Sequence, residues 1–137
     1  MADASQPKWL WHFTTLDVLD NIRLFCRLWT YRNRAFDQHL AISFTELDPQ
    51  IHDRSAISIK NWGEWIEDRM EAFVRVRFDE KRMFHAARDK EWLSQYDFRL
   101  DDGGVTATWD GARYVVDEDI PRLCHERRVR GEIPDRP

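Results

Sequence analysis

Hydrophobic and polar residues alternate along several short segments of the chain, which is the pattern of β-strands with one buried face. In the first such segment, Trp9, Trp11 and Phe13 fall on one side, and His12 and Thr14 fall on the other. In a later one, Leu40, Ile42 and Phe44 alternate with small and hydroxyl-bearing residues. The pattern predicts strands near 8–14, 39–45, 55–59, 73–78 and 97–117.

Other segments have apolar residues at steps of three and four, which is typical of amphipathic helices. Thr14 and Asp17 form a capping-box pattern ahead of one of them, and we expect a helix near 15–31. Asn61 and Glu64 repeat that pattern before a second predicted helix at 62–72. We also expect a helical stretch from Asp79 to about Tyr96 and a short last helix after Asp119.

The last third of the chain has the turn signals of a β-meander. Residues 101–104 read Asp-Asp-Gly-Gly, and Asp110-Gly111 is a two-residue hairpin signal. We therefore predict an α+β fold, with a mostly antiparallel central sheet, two main helices packed on it and a C-terminal three-stranded meander. The expected organisation is a flexible lead-in at 1–7, one globular domain at 8–129 and a flexible tail at 130–137.

Composition is that of a folded domain of 137 residues, with 42% hydrophobic and 13% aromatic residues, seven of them Trp. Most of the Trp residues are expected in the core because of their spacing. The net charge of −4 disfavours a protein that wraps nucleic acid by neutralising phosphates.

The two cysteines, Cys26 and Cys124, are 98 positions apart and show no metal-type spacing. The chain also shows no apolar leader and no long apolar run. We interpret the cysteines as free thiols of a cytoplasmic protein without a membrane partner.

Sequence motifs of the common catalytic classes are absent, including phosphate-binding loops and the nucleophile elbow. The five His residues lack the spacing of metal ligands, and no metal is expected. Arg75 and Arg77 share one strand face and are candidates to hold a pyrophosphate through bidentate contacts.

Three short pieces of the chain, in order, resemble bacterial and phage-related members of the ADP-ribosyltransferase superfamily, including DarT-type toxins and abortive-infection proteins. The first is the strand Trp11-His12-Phe13-Thr14 with the helix that follows it. The others are Ile42–Leu47 followed by Ile57–Trp62, and Lys90-Glu91-Trp92 ahead of Phe98. The resemblance covers about residues 9–100.

The resemblance implies a domain that binds NAD and transfers ADP-ribose to a macromolecular target, as a toxin or phage-conflict protein does. It implies that His12 holds a ribose of NAD, that Ser43 and Thr45 support the nicotinamide side, and that Glu91 assists glycosidic cleavage. Thr14 shares the strand face of His12 and is a further NAD-binding candidate. An oxocarbenium-like sugar requires a carboxylate nearby, which independently suits this set of residues.

Two other classes of function fit the sequence. One is a non-catalytic protein–protein interaction module, which includes a degenerate member of the same fold. The other is a small-molecule-binding α+β barrel with Trp side chains lining an apolar cavity. The enzyme differs from both in one requirement. Its site must bring His12, the face of Ser43 and Thr45, and an acid together within reach of one ribose.

Overall fold

The computed structural model describes residues 8–29, 31–32, 40–53, 57, 70–85 and 90–135. These residues form two α-helices, α1 (Leu16–Phe25) and α2 (Ile120–Val129), and ten strands. The strands are β1 (Trp9–Thr14), β2 (Arg27–Leu28), β3 (Tyr31–Arg32), β4 (Leu40–Thr45), β5 (Ala72–Arg77), β6 (Met83–His85), β7 (Glu91–Ser94), β8 (Phe98–Arg99), β9 (Val105–Trp109) and β10 (Tyr114–Asp117). Most of the predicted strand at 55–59 and helix at 62–72 lies outside the described residues. Both predictions are wrong where they can be compared, since Ile57 is helical, with its N–H 3.0 Å from the Asp53 carbonyl oxygen, and residues 70–72 are not helical.

Seven of the strands form one antiparallel sheet in the order β10–β9–β5–β1–β4–β7–β6, and β3 pairs with the start of β4. The short strands β2 and β8 pair separately. The predicted α+β class with a mostly antiparallel central sheet is therefore confirmed. The C-terminal strands occur in the predicted order, and β9 and β10 form a hairpin.

The loop of this hairpin has four residues, 110–113, rather than two. The Asp110 carboxylate accepts hydrogen bonds from the backbone N–H groups of Ala112 and Arg113 at 2.8 and 2.9 Å. Gly111 has a φ of 104°, which glycine adopts without steric cost. The Asp-Gly pair thus marks the turn, and the aspartate side chain sets its length.

The N-cap of helix α1 is Thr15, one residue after the predicted cap Thr14. The Thr15 hydroxyl accepts from the Val18 N–H at 3.4 Å, and the Glu71 carboxylate accepts from the Leu16 N–H at 2.9 Å. The helix ends at Phe25 because Cys26 takes a left-handed conformation, with φ of 50°. The predicted extension of this helix to residue 31 is wrong, since the chain continues as β2 and then β3.

The segment after Asp79 is not helical where the structure describes it. Residues 79–82 form a turn, and β6 and β7 follow as strands. β7 pairs with β4 on one side and with β6 on the other. The predicted helical stretch from Asp79 to Tyr96 is therefore wrong in these residues, and Glu91 is the first residue of β7, the strand next to the edge strand β6.

The two faces of the sheet pack into different apolar clusters. The face that α1 covers belongs to the main core, which includes Leu10, Leu19, Ile22, Ile42, Phe44, Val74, Val76, Met83, Phe98, Leu100 and Ile120. The opposite face, called the second face below, carries a cluster of aromatic residues, namely Trp9, Trp11, Phe13, Phe73, Trp109 and Tyr114. Each strand contributes to both faces because side chains alternate along it.

Cys26 and Cys124 form a disulfide that links the end of α1 to α2, with their Cα atoms 5.7 Å apart. The prediction of two free thiols is wrong. Folding brings together two residues that are 98 positions apart in sequence, which spacing alone does not reveal. Both cysteines are buried in the main core.

Two arginines of α2 make polar contacts with other parts of the chain. Arg127 donates hydrogen bonds to the backbone carbonyls of Arg23 and Leu24, at 2.9 and 2.7 Å, and so satisfies the C-terminal end of α1. Arg128 makes a bidentate contact with the Asp101 carboxylate at 2.8 and 3.0 Å.

Ile133, which follows α2, packs against the main core.

Within the described part of the chain, neither helix is long and apolar enough to span a membrane.

Candidate functional site

A row of four side chains crosses the second face of the sheet. Glu91 pairs in register with Thr45, Thr45 pairs with Trp11, and Trp11 pairs with Arg75. Directly opposed residues of antiparallel strands project to the same face, so these side chains are consecutive neighbours. With strands about 4.8 Å apart, the row covers about 14 Å of the sheet. We call these four residues the polar row.

The acidic end of the polar row is excluded from water. Glu91 is 2% exposed and Thr45 is fully buried. The Thr45 hydroxyl accepts a hydrogen bond from the Leu47 N–H at 3.1 Å, which fixes its rotamer. Glutamate is seldom buried to this degree because a carboxylate loses much hydration energy there. Ionisable groups buried in this way occur at functional sites and also in structural ion-pair networks.

The basic end of the polar row carries two buried N–H donors that lack acceptors. No described residue accepts a hydrogen bond from Trp11 Nε1 or from Arg75 Nε. The Arg75 guanidinium stacks on Trp9, with its Cζ 4.1 Å from the centre of the indole ring. A buried donor without an acceptor costs about 1–3 kcal/mol, and an oxygen atom of a ligand would remove that cost.

Two more of the predicted site residues lie on the second face, beside the polar row. Arg77 pairs in register with Trp9, is exposed, and has its Cζ 5.7 Å from the Trp9 ring centre. Ser43 pairs with Leu93 and is partly buried. Five predicted residues, namely Ser43, Thr45, Arg75, Arg77 and Glu91, therefore share one face.

His12 lies on the other face, inside the main core. Its ring is 7% exposed and contacts Phe44 edge to face at 5.9 Å between ring centres. Its Nδ1 is 2.8 Å from the backbone carbonyl oxygen of Ser43, so the neutral ring donates there. Burial lowers the pKa of His12, and the hydrogen bond to Ser43 opposes this shift only in part. These contacts are those of a structural histidine.

Thr14 shares the face of His12 and is also buried, at 8% exposure. It pairs in register with Ala72, next to the start of α1. The sequence predicted that the side chains of His12 and Thr14 line one cleft with those of Ser43 and Thr45. That prediction is wrong, because the two pairs lie on opposite faces of the sheet. His12 contacts the backbone of Ser43 and not its hydroxyl.

Sequence reasoning missed the role of Trp11, which it assigned to the core. The ring is indeed buried, but its N–H points to no acceptor among the described residues. The available signal was the alternation of residues 9–13, which puts Trp11 on the face opposite His12. No group of three metal-ligating side chains occurs in the ranges that the structure describes.

Comparison of the chain with protein-family models, with curated proteins and with solved structures found no match. The functional argument therefore depends on the geometry of the polar row.

Proposed function

We propose that this protein is an ADP-ribosyltransferase-like domain that binds NAD on the second face of the sheet and transfers ADP-ribose to a macromolecular target. The observation that carries the proposal is the polar row, in which a buried carboxylate and two buried donors without acceptors lie in register. A ligand that fits it must present an electron-poor centre to Glu91 and oxygen atoms to Trp11 and Arg75. The row is longer than one sugar, and a dinucleotide meets both requirements.

In the proposed reaction, the bond between C1′ of the nicotinamide ribose and the nicotinamide nitrogen breaks. Its electron pair leaves with nicotinamide, and positive charge develops on the ribose. The Glu91 carboxylate stabilises that charge, which is an effect of large magnitude in a site that excludes water. An oxygen or nitrogen atom of the target then bonds to C1′, and Glu91 accepts the proton that this atom loses.

Thr45 and Arg75 have supporting roles in the proposal. Thr45 is the neighbour of Glu91 in the row, and its fixed hydroxyl orients the ribose or the carboxylate. Arg75 provides a guanidinium held against Trp9, and its charge suits the phosphates of NAD. Ser43 and Arg77 lie beside these groups on the same face and extend the ligand surface.

The proposal departs from the family resemblance at one residue. His12, which the resemblance assigns to the ribose, is enclosed by the main core and does not contact the ligand in this proposal. Because Glu91 is 2% exposed, NAD must also displace the side chains that cover the carboxylate. Binding is therefore expected to be coupled to a local rearrangement of the second face.

A non-catalytic interaction module is the second candidate, and the enclosed position of Glu91 and His12 is the observation that favours it. A partner protein would then use the exposed surface, and NAD would not bind. We retain the cytoplasmic location, and the role of the transferase as a toxin or phage-conflict protein, as parts of the proposal.

The release of nicotinamide from NAD separates the candidates. We expect wild-type protein to release nicotinamide and Glu91→Gln to reduce the rate by at least about a hundredfold, because general base and electrostatic contributions of this size are common. Glu118→Gln is the matched control, since Glu118 is exposed at the start of α2. No release by folded wild-type protein, with or without cell extract as a source of target, would contradict the transferase.

A further inference from the structure

A concave pocket of about 720 Å³ lies at the end of β5. The turn 79–82 forms one wall, and residues 98–104, which include β8, form the other. Its volume lies within the range of small-molecule sites. The wall carries four cationic side chains, Arg77, Lys81, Arg82 and Arg99.

The Arg82 guanidinium is oriented by a backbone carbonyl and two aromatic rings, which carry no negative charge. It donates a hydrogen bond to the backbone carbonyl of Asp97. Its Cζ lies 4.8 Å from the centre of the Phe98 ring and 5.4 Å from that of Tyr96. A carbonyl and two rings orient the guanidinium, and no acid in the described ranges forms an ion pair with it, so its charge suits an anionic ligand.

Arg99 is fixed in a different way, through Asp101. The Asp101 carboxylate contacts both Arg99, at 2.5 Å, and Arg128, at 2.8 Å, so two cations share one anion. Burial alone would raise the pKa of Asp101, but the hydrogen bonds from the two arginines reverse this and hold it well below its usual range. The carboxylate is thus ionised, and the group of three retains a net positive charge.

Arg77 and Lys81 are exposed on the pocket wall, and neither forms an ion pair with an acid of the described ranges. Asp79, which lies between them, already accepts a hydrogen bond from the Lys81 backbone N–H at 3.0 Å. Its carboxylate stabilises the turn and does not neutralise either side chain by direct contact. The pocket lining therefore combines two exposed cationic side chains, Arg77 and Lys81, with two arginines whose guanidinium groups are held in place, Arg82 and Arg99.

We propose that this pocket binds a small anion that carries phosphate groups. Arginine binds phosphate through bidentate hydrogen bonds, and lysine binds it as a compact positive charge. The three acids of the lining, Asp79, Glu80 and Asp102, limit the net charge to a small positive value. That balance favours a compact anion over the long phosphate backbone of a nucleic acid, in agreement with the net charge of −4. The pocket adjoins the polar row at Arg77, which lies near the Trp9 ring on which Arg75 stacks, but Lys81, Arg82 and Arg99 lie outside the row. The proposal therefore does not require the transferase activity.

Calorimetric titration with pyrophosphate tests this site. We expect saturable binding to wild-type protein that weakens at least about tenfold in the double variant Arg77→Ala/Lys81→Ala and weakens as salt increases. Both positions are exposed, so these changes leave the fold intact. Arg122→Ala is the matched control, because Arg122 is an exposed arginine on α2, and it should bind pyrophosphate like the wild type.

Three results would overturn the proposal. The first is the absence of pyrophosphate binding at millimolar concentration, and the second is binding that the double variant retains unchanged. The third is tighter binding of a single-stranded oligonucleotide than of pyrophosphate through the same two residues. Pyrophosphate binding by a protein that does not bind or cleave NAD would support the pocket and contradict only the transferase.

Discussion

Glu91 and Thr45 lie directly opposite each other on neighbouring antiparallel strands, and both side chains are buried. Trp11 and Arg75 continue the same row across the sheet and bring two buried donors without acceptors. The row thus brings a buried carboxylate and two buried N–H donors that lack acceptors among the described residues to one face, while the opposite face forms the main core. This asymmetry is the basis of the functional proposal.

His12→Ala is predicted to destabilise the protein. The ring is buried, donates to the Ser43 carbonyl and packs on Phe44, so its loss should cost about 1–3 kcal/mol in the free energy of unfolding. Urea denaturation measures this change. His125→Ala is the control, since His125 is exposed on α2 and should alter stability by less than about 0.5 kcal/mol. Wild-type stability in His12→Ala would contradict the structural role.

Stability is also predicted to depend on pH through His12. Burial lowers its pKa in the folded protein below 6.5, so the unfolded chain binds the proton more readily. The stability that the neutral His12 ring contributes is therefore fully present above the unfolded pKa of about 6.5. It is lost as the pH falls from there through the lower pKa of the folded protein. The difference in unfolding free energy between pH 7.5 and 5.5 should shrink in His12→Gln. An equal difference in both proteins would show that another group causes the pH dependence.

The Ile22 side chain is expected to contribute strongly to the main core. It is 1% exposed on the buried face of α1, and Ile22→Ala should cost about 2–5 kcal/mol. Leu24, two positions later, is 50% exposed, and Leu24→Ala should cost less than about 1 kcal/mol. Similar costs for the two variants in thermal or urea denaturation would mean that the orientation of α1 is wrong. A parallel prediction for Trp65→Ala concerns a position outside the described residues.

The Cys26–Cys124 disulfide is predicted to stabilise the fold by constraining the unfolded chain. A closed loop of about 100 residues corresponds to up to about 4.7 kcal/mol, and removal of native disulfides commonly costs about 2–5 kcal/mol. Urea denaturation of the oxidised and reduced protein measures this difference, with the Cys26→Ser/Cys124→Ser variant as a control that should not respond to reductant. Equal stability of the oxidised and reduced wild type would contradict the prediction.

The same bond bears on the proposed cytoplasmic location, because disulfides are rare in that reducing compartment. Mass spectrometry of alkylated protein from intact cells determines whether the two thiols are linked. A protein that acts in the cytoplasm should have them mainly reduced there and oxidised after purification in air. A fully formed disulfide in the cell would contradict the cytoplasmic location and leave the fold unaffected.

Local patterns in the sequence predicted β1, β4, β5 and the β9–β10 hairpin well, because alternation and turn residues act over a few positions. They failed at β6 and β7, where short segments become strands only because β7 pairs with β4 and β6 pairs with β7. The same non-local pairing buries Glu91, which the sequence had assigned to a helix. Likewise, the alternation of β1 separated His12 from Trp11 correctly, but it did not reveal that α1 covers the histidine face.

The central claim is that NAD binds on the second face through the polar row, and calorimetric titration of NAD tests it most directly. The account predicts saturable binding to wild-type protein and binding weakened at least about tenfold by Arg75→Ala, which removes the stacked guanidinium. Arg113→Ala, at an exposed position in the β9–β10 loop, should bind NAD like the wild type. Folded wild-type protein that shows no binding of NAD at millimolar concentration would contradict the account.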